Sequence, residues 1–178
     1  MKLPMNEAKS GFALVVMGVS GSGKTTVAER LADKLGWRFV EGDRLHPPAN
    51  VEKMRRGIPL TDADRAPWLD RIGEEIKRWA TEGQSGILTC SALKRAYRDV
   101  LLHNRTDIRL VYLEGTQALI ADRLGRRKGH FMPPGLLTSQ FNTLEPPTPD
   151  EHPLTVSIEA PVKRVVEDIV RQLKLSPA

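Results

Sequence analysis

The sequence has a single cysteine, Cys90. One thiol forbids an internal disulfide framework and any zinc site built on paired cysteines, and it leaves Cys90 as a small core residue. Aromatic residues make up only 5% of the chain, too few for a row of base-stacking platforms. No basic run reaches five residues, and no apolar run approaches the roughly 18 needed to cross a bilayer. Lys2 and Lys9 before an apolar stretch imitate the start of a secretion signal, but no small-residue cleavage site follows. A cytoplasmic location without membrane contact is therefore expected.

What is present is ordinary for a globular protein: 178 residues, 40% hydrophobic, 28% charged. This length suits one domain spanning 1–178, long enough to bury a real core. The formal charge of +5 favours anionic partners. With no long basic run and few aromatics, phosphorylated metabolites fit better than nucleic acid.

Five short apolar runs read as strands: FALVVM (12–17), WRFV (37–40), GILTC (86–90), IRLVYLE (108–114) and LTVSI (154–158). The first is apolar throughout, as in a strand covered on both faces. Helical stripes lie between them. Val27, Ala28, Leu31, Ala32 and Leu35 form one; Trp68, Leu69, Ile72, Ile76, Trp79 and Ala80 another, with Pro67 expected in the first turn; Val162, Val165, Val166, Ile169, Val170 and Leu173 the last. This alternation predicts an α/β fold, a parallel sheet with helices on both faces. Right-handed crossovers then place every strand's C-terminal end on one edge, where ligands bind. Two segments fit neither sheet nor core: RLGRRKGHFMPP (123–134), expected to be a mobile lid, and PPTPDEHP (146–153), expected to be a connector.

Directly after the first strand, Gly18, Val19, Ser20, Gly21, Ser22, Gly23, Lys24 and Thr25 spell GVSGSGKT, a full match to the phosphate-cradle pattern G-x-x-x-x-G-K-[ST]. Glycines let the backbone curl until successive N–H groups converge on phosphate oxygens. The helix that follows points its positive dipole end at the same anion. Lys24 is expected to reach the terminal phosphates, and the Thr25 hydroxyl to ligate magnesium. ATP with Mg2+ is the implied ligand pair. The reaction stays open at this point, since the same loop serves switches, motors and kinases.

The stretch EGDRLHP (41–47) leaves the second strand on the edge that carries the cradle. Asp43 is the candidate catalytic carboxylate, with two roles open to it. It could orient an acceptor hydroxyl and take its proton late, or hold magnesium through water. The third strand, ILTCSALK, ends without the aspartate that commonly supplies the metal-side acid, which strengthens the second role. Glu41 is expected to be solvated. His46, near Asp43, is either a structural loop histidine or an acceptor contact.

Further cations cluster on the same edge. Lys94 and Arg98, four apart, are expected to share a helix face suited to an anionic acceptor such as a carboxylate, with Arg56 and Arg65 as additional contacts. In the basic segment, Arg123 is the candidate nucleotide contact, Arg127 the candidate for stabilising the transferring phosphoryl group, and His130 the candidate acceptor contact. Arg126 and Lys128 add charge to a cover that would keep water out.

With these residues in view, the chain closely resembles the gluconate kinases (gluconokinases). The matching stretches are GVSGSGKT, GDRLHPPANVEKM, GIPLTDADRAPWL, CSALKRAYRD, RKGHF and QFNTLE (140–145), covering Gly18 to about Glu145, with a looser match beyond. The resemblance implies a small P-loop kinase, similar in fold to shikimate and nucleoside monophosphate kinases, with a five-stranded parallel sheet ordered 2-3-1-4-5. It also implies transfer from ATP to the 6-hydroxyl of D-gluconate, with Mg2+, in a homodimer. Asp43 would then face the 6-hydroxyl, and Lys94 and Arg98 the sugar acid. Leu102 stands where some members carry arginine, so no ionic role is expected there.

Other readings are a P-loop kinase of a shikimate-like or nucleotide acceptor, an NTP-dependent nucleic-acid-binding module, and a nucleotide-binding regulator without transfer. A salt-steep affinity would mark the nucleic-acid module, and ATP turnover without an acceptor the regulator.

Overall fold

The computed structural model describes residues 11–102, 105–127 and 134–178. Five strands, β1 (Ala13–Met17), β2 (Arg38–Glu41), β3 (Gly86–Thr89), β4 (Ile108–Glu114) and β5 (Leu154–Ser157), form one parallel sheet in the order β2-β3-β1-β4-β5. Seven helices accompany them among the described residues: α1 (Lys24–Leu35), α2 (Pro48–Arg55), α3 (Asp62–Thr81), α4 (Arg95–Leu102), α5 (Gln117–Arg126), α6 (Pro134–Thr143) and α7 (Val162–Gln172). Fold class and strand order are those expected.

The central strand β1 is buried at every position because both faces of the sheet are covered. Leu14 and Val16 face one core with the α1 and α7 stripes, Ile120 of α5 and Leu137 of α6. Ala13, Val15 and Met17 face the other, with Trp68, Leu69, Ile72, Ile76 and Trp79 of α3 and Tyr97 and Leu101 of α4. Cys90 lies in this second core, its thiol pushed up to about 12 chiefly by burial, so it stays protonated and inert at neutral pH.

Two expectations need correction. Pro67 is inside α3, not in its first turn, because a capping box at Thr61 and Asp64 starts the helix earlier: Asp64 N–H donates to Thr61 Oγ1 (3.1 Å) and Thr61 N–H to Asp64 Oδ2 (2.9 Å). The helix tolerates one lost backbone donor there because its apolar stripe is anchored on the sheet. The PPTPDEHP stretch is more than a connector. It contains a 3-10 turn, Pro149–Glu151, whose Asp150 and Glu151 clamp Arg95 and Arg98 of α4. No helix among the described residues is long and apolar enough to cross a membrane.

Candidate active site

The phosphate loop runs from the end of β1 into the first turn of α1. Gly21 (φ 81°) and Gly23 (φ 92°) hold left-handed backbone that other residues adopt only with strain. A side chain at Gly21 would also meet Leu124 of α5 at 2.8 Å. Lys24 Nζ donates to Gly18 O and Val19 O, both at 3.1 Å. Burial lowers the Lys24 pKa, and the neighbouring carboxylates Asp43 and Glu41 oppose that shift. Asp43 and Glu41 therefore both act on the cradle lysine. Ser20 N–H donates to Gln140 Oε1 (2.6 Å), which ties α6 to the loop across 120 residues.

The acidic turn is built by close approach. Gly42 begins a 3-10 turn, Gly42–Leu45, directly after β2. A Cβ at Gly42 would stand 2.0 Å from Thr89 O, so only glycine lets this turn lie against β3. Trp68 Nε1 donates to Gly42 O (2.9 Å), pinning the turn from α3. Asp43 is exposed on this turn, near enough to Lys24 for its charge to act on the ammonium group.

Glu41 is where sequence reasoning erred. It is half-buried, not solvated, and accepts two hydroxyl protons: Thr25 Oγ1 at 2.8 Å and Thr89 Oγ1 at 2.6 Å. Because the Thr25 proton points at Glu41, the Thr25 lone pairs are left for a cation. Glu41 thus stands where an acid from the end of β3 would serve, and Thr89 at that end carries a hydroxyl instead. Hard oxygen donors at the mouth of a phosphate cradle suit magnesium, which keeps several waters and phosphate oxygens in its shell. The signal available in the sequence was the two-residue spacing of Glu41 and Asp43 around a glycine at a strand's end.

His46 is buried. Its ring stacks on Trp68 (4.2 Å between centroids, 15° between planes), and Asn50 Nδ2 lies 3.2 Å from its Nδ1. Burial lowers its pKa, with Asp43 opposing and Arg65 assisting. The expected Lys94–Arg98 pair does not form on one face. Lys94 precedes α4 and bonds Asp62 of α3 (3.2 Å), over the ring of Tyr97. Arg98 is 1% exposed; its Nε and Nη2 bond Glu151 (2.6 and 3.2 Å) and its Nη1 bonds Ala92 O and Leu93 O (2.9 and 3.3 Å). With these bonds Arg98 is a structural clamp, and the acceptor role expected for it is withdrawn. Arg65 donates to Leu60 O and lies over Tyr97. Arg56 closes α2 with an exposed side chain, and no described contact ties it to the cradle.

A cavity of about 330 Å³ opens beside Gly21, Ser22 and Gly23, lined further by Arg123, Arg126, Arg127, Ala160 and Pro161. Arg123 Nη2 donates to Ile158 O across it (2.5 Å), and Arg126 pairs with Asp122. These arginines belong to α5 and its end, so the expected lid segment begins as helix. Its residues 128–133, including Lys128 and the candidate His130, lie outside the described residues. Another cavity of similar volume, lined by Arg95, Arg105, Arg109 and His152, includes no residue of the cradle.

Comparison with known proteins matches this geometry. Residues 14–147 fit the family described as "AAA domain". The chain is 53% identical over 161 residues to a gluconokinase of Gluconobacter oxydans, covering 90% of each chain. Among solved structures it is similar to a gluconokinase of Sinorhizobium meliloti (TM-score 0.83, 42% identity, 93% of both chains). It is also similar to a sugar kinase of Janibacter sp. (TM-score 0.86, 46% identity, 94% of this chain and 96% of that one). A phosphate cradle opposed by a carboxylate pair, on this strand order and with these relatives, makes the chain a member of the gluconokinase family of P-loop kinases.

Proposed function

We propose that this protein transfers the terminal phosphoryl group of ATP to the 6-hydroxyl of D-gluconate, giving 6-phospho-D-gluconate and ADP. The observation that carries the reading is the placement of Glu41 at the end of β2 and Asp43 on the turn that follows, beside Thr25 and Lys24. Cradle amides and Lys24 bind the β- and γ-phosphates. Thr25, backed by Glu41, would hold Mg2+, which when bound neutralises phosphate charge. Asp43 accepts a hydrogen bond from the acceptor hydroxyl, lines it up with the γ-phosphorus and takes its proton as the O–P bond forms. The hydroxyl need not be ionised beforehand, because the transition state is loose and proton transfer late. Arg127, for which no carboxylate partner exists among the described residues, is the reserve cation for the transferring group. The cavity between Arg123 and Pro161 suits the adenine end.

The acceptor would be bound by His46 and Lys94, the latter released from Asp62, with Arg56 contributing from the rim and His130 as a further contact. Assembly as a homodimer, a cytoplasmic location and the absence of a nucleic-acid partner complete the reading; light scattering of the purified chain measures the first. The decisive assay is ADP release with ATP and Mg2+ against a panel of gluconate, other sugar acids, neutral sugars and shikimate. Gluconate-dependent ADP release with a 31P signal of a primary phosphate ester is expected. Equal release without an acceptor would replace transfer by hydrolysis.

A further inference from the structure

Asn50 was not singled out by the sequence, yet it is 3% exposed and its side chain has two partners. Nδ2 donates to the backbone carbonyl of Asp64 at 2.7 Å and lies 3.2 Å from His46 Nδ1. A carbonyl oxygen can only accept. Turning the amide over would set Asn50 Oδ1 against Asp64 O, two acceptors at hydrogen-bond distance, so Asp64 fixes which end of the amide faces His46. Asp64 is itself held by the α3 capping box and by both bonds from Lys53 Nζ (2.8 Å each).

The consequence passes to the imidazole. Facing an N–H donor, Nδ1 must be the unprotonated nitrogen, and Nε2 then carries the proton. A half-turn of the ring would keep its stacking on Trp68 but set a carbon in place of Nδ1 against Asn50 Nδ2. The Asn50 contact therefore fixes which edge faces inward, while Trp68, whose Nε1–H is held by Gly42 O next to Asp43, fixes the ring plane. Nε2 has no partner among the described residues. Only Ser22 Oγ is both buried and unpartnered there, so Nε2 opens outward rather than into the core. The charged groups around the ring are Asp43 on its own turn, Arg65 of α3, and the Lys53–Asp64 pair linking α2 to α3.

We propose that Asn50 is a positioning residue that sets His46 as a neutral Nε2–H donor to an oxygen of the phosphoryl acceptor. The inference rests on the kinase reading above and sharpens it. The site then requires a lone pair at that substrate position. A hydroxyl or carboxylate oxygen supplies one, whereas an ammonium in its place would meet a donor with a donor and be rejected.

The test begins with the unaltered protein, labelled with 15N, in a long-range 1H–15N correlation spectrum near pH 7.5. The His46 ring is assigned by its loss in His46→Gln among the four histidines. A protonated Nε2 and an unprotonated Nδ1 are expected. A protonated Nδ1 overturns the proposal, whatever the acceptor proves to be, because this measurement needs no turnover. The second arm is kinetic. Asn50→Ala should populate both tautomers and raise KM for gluconate about tenfold, the scale of one hydrogen bond, with KM for ATP within about twofold. An unchanged gluconate KM in a folded variant also overturns it. Should Asn50→Ala fail to fold, the spectrum of the unaltered protein decides alone.

Discussion

Thr25 Oγ1 and Glu41 Oε2 are 2.8 Å apart, joining the first turn of α1 to the last residue of β2. The bond connects the element that cradles phosphate to the one that carries Asp43. It gives the Thr25 hydroxyl, proposed above as the magnesium ligand, a fixed orientation, while Thr89 holds the opposite oxygen of the same carboxylate.

Glu41→Gln should therefore weaken magnesium dependence without abolishing nucleotide binding. An amide offers one oxygen and one NH2 group where two hydroxyls now donate, so one of the two bonds must reverse or break. A reversed bond from the new amide would occupy a threonine lone pair. The Mg2+ concentration for half-maximal rate should rise about 10- to 100-fold, the usual effect of removing a group that orients a metal ligand. Titrating ADP release against Mg2+ at saturating ATP and gluconate reads this directly; an unshifted midpoint would leave Glu41 a purely structural role.

Asp43→Asn should bind ATP normally and lose about 10²- to 10⁴-fold in kcat, the range of a positioned proton acceptor. Gly42→Ala should resemble it, since a methyl group 2.0 Å from Thr89 O must push the turn off β3. Fluorescent-nucleotide titration beside steady-state turnover separates binding from transfer. Near-normal turnover by Asp43→Asn would remove its role.

Lys94→Ala should raise KM for gluconate more than KM for ATP if, as proposed, Lys94 leaves Asp62 to bind the acceptor. Steady-state kinetics with each substrate varied in turn measures the split. Equal changes in both constants would place Lys94 elsewhere.

Breaking the Arg98–Glu151 pair should be a stability defect. Removing one partner strands the other where side-chain exposure is 1% and 5%, a loss of about 3–5 kcal/mol. For a chain of this size that is a Tm fall of about 10 °C for Arg98→Ala. The double change Arg98→Met with Glu151→Leu should recover much of it, since it strands no charge. Thermal unfolding by circular dichroism decides, and a gluconate KM unchanged in the folded fraction would confirm that Arg98 is not an acceptor contact.

Acid should destabilise the fold through the same carboxylates. Burial tends to raise the Glu151 pKa, but hydrogen bonds from Arg98 and Thr148 leave it below its ordinary 4.5. Asp64 falls to about 2 on bonds from Lys53 and Thr61, and Arg95 also lowers Asp150. A carboxylate depressed on folding stabilises above its unfolded pKa, and that stability disappears as pH falls through the folded value. Tm should thus be flat from about pH 5 upward as far as these groups determine it, and fall steeply below about pH 4.5. Glu151→Gln should flatten that limb.

The fold was legible because its signals are local. Apolar runs marked all five strands, and each helical stripe lies within a single element. The cradle is contiguous, and Asp43 follows β2 directly, so strand order alone brought it to Lys24. Glu41 and Arg98 were misjudged because their partners are remote. Thr89 is 48 residues from Glu41, and Glu151 is 53 residues from Arg98, inside a proline-rich stretch that reads as a linker. A charged residue looks solvated or available until its counterpart is located. His46 was ambiguous for the same reason: Trp68, 22 positions on, makes it a stacked ring rather than a free loop side chain.

Lys24 already has two acceptors, the carbonyls of Gly18 and Val19 at 3.1 Å. Capturing a nucleotide is therefore an exchange, in which this ammonium group gives up bonds to its own backbone for bonds to the tail of the incoming molecule. A nucleoside monophosphate lacks the outer oxygens that would replace them. The loop thus grades nucleotides by tail length before any acceptor arrives, and affinity should climb steeply from AMP through ADP to ATP.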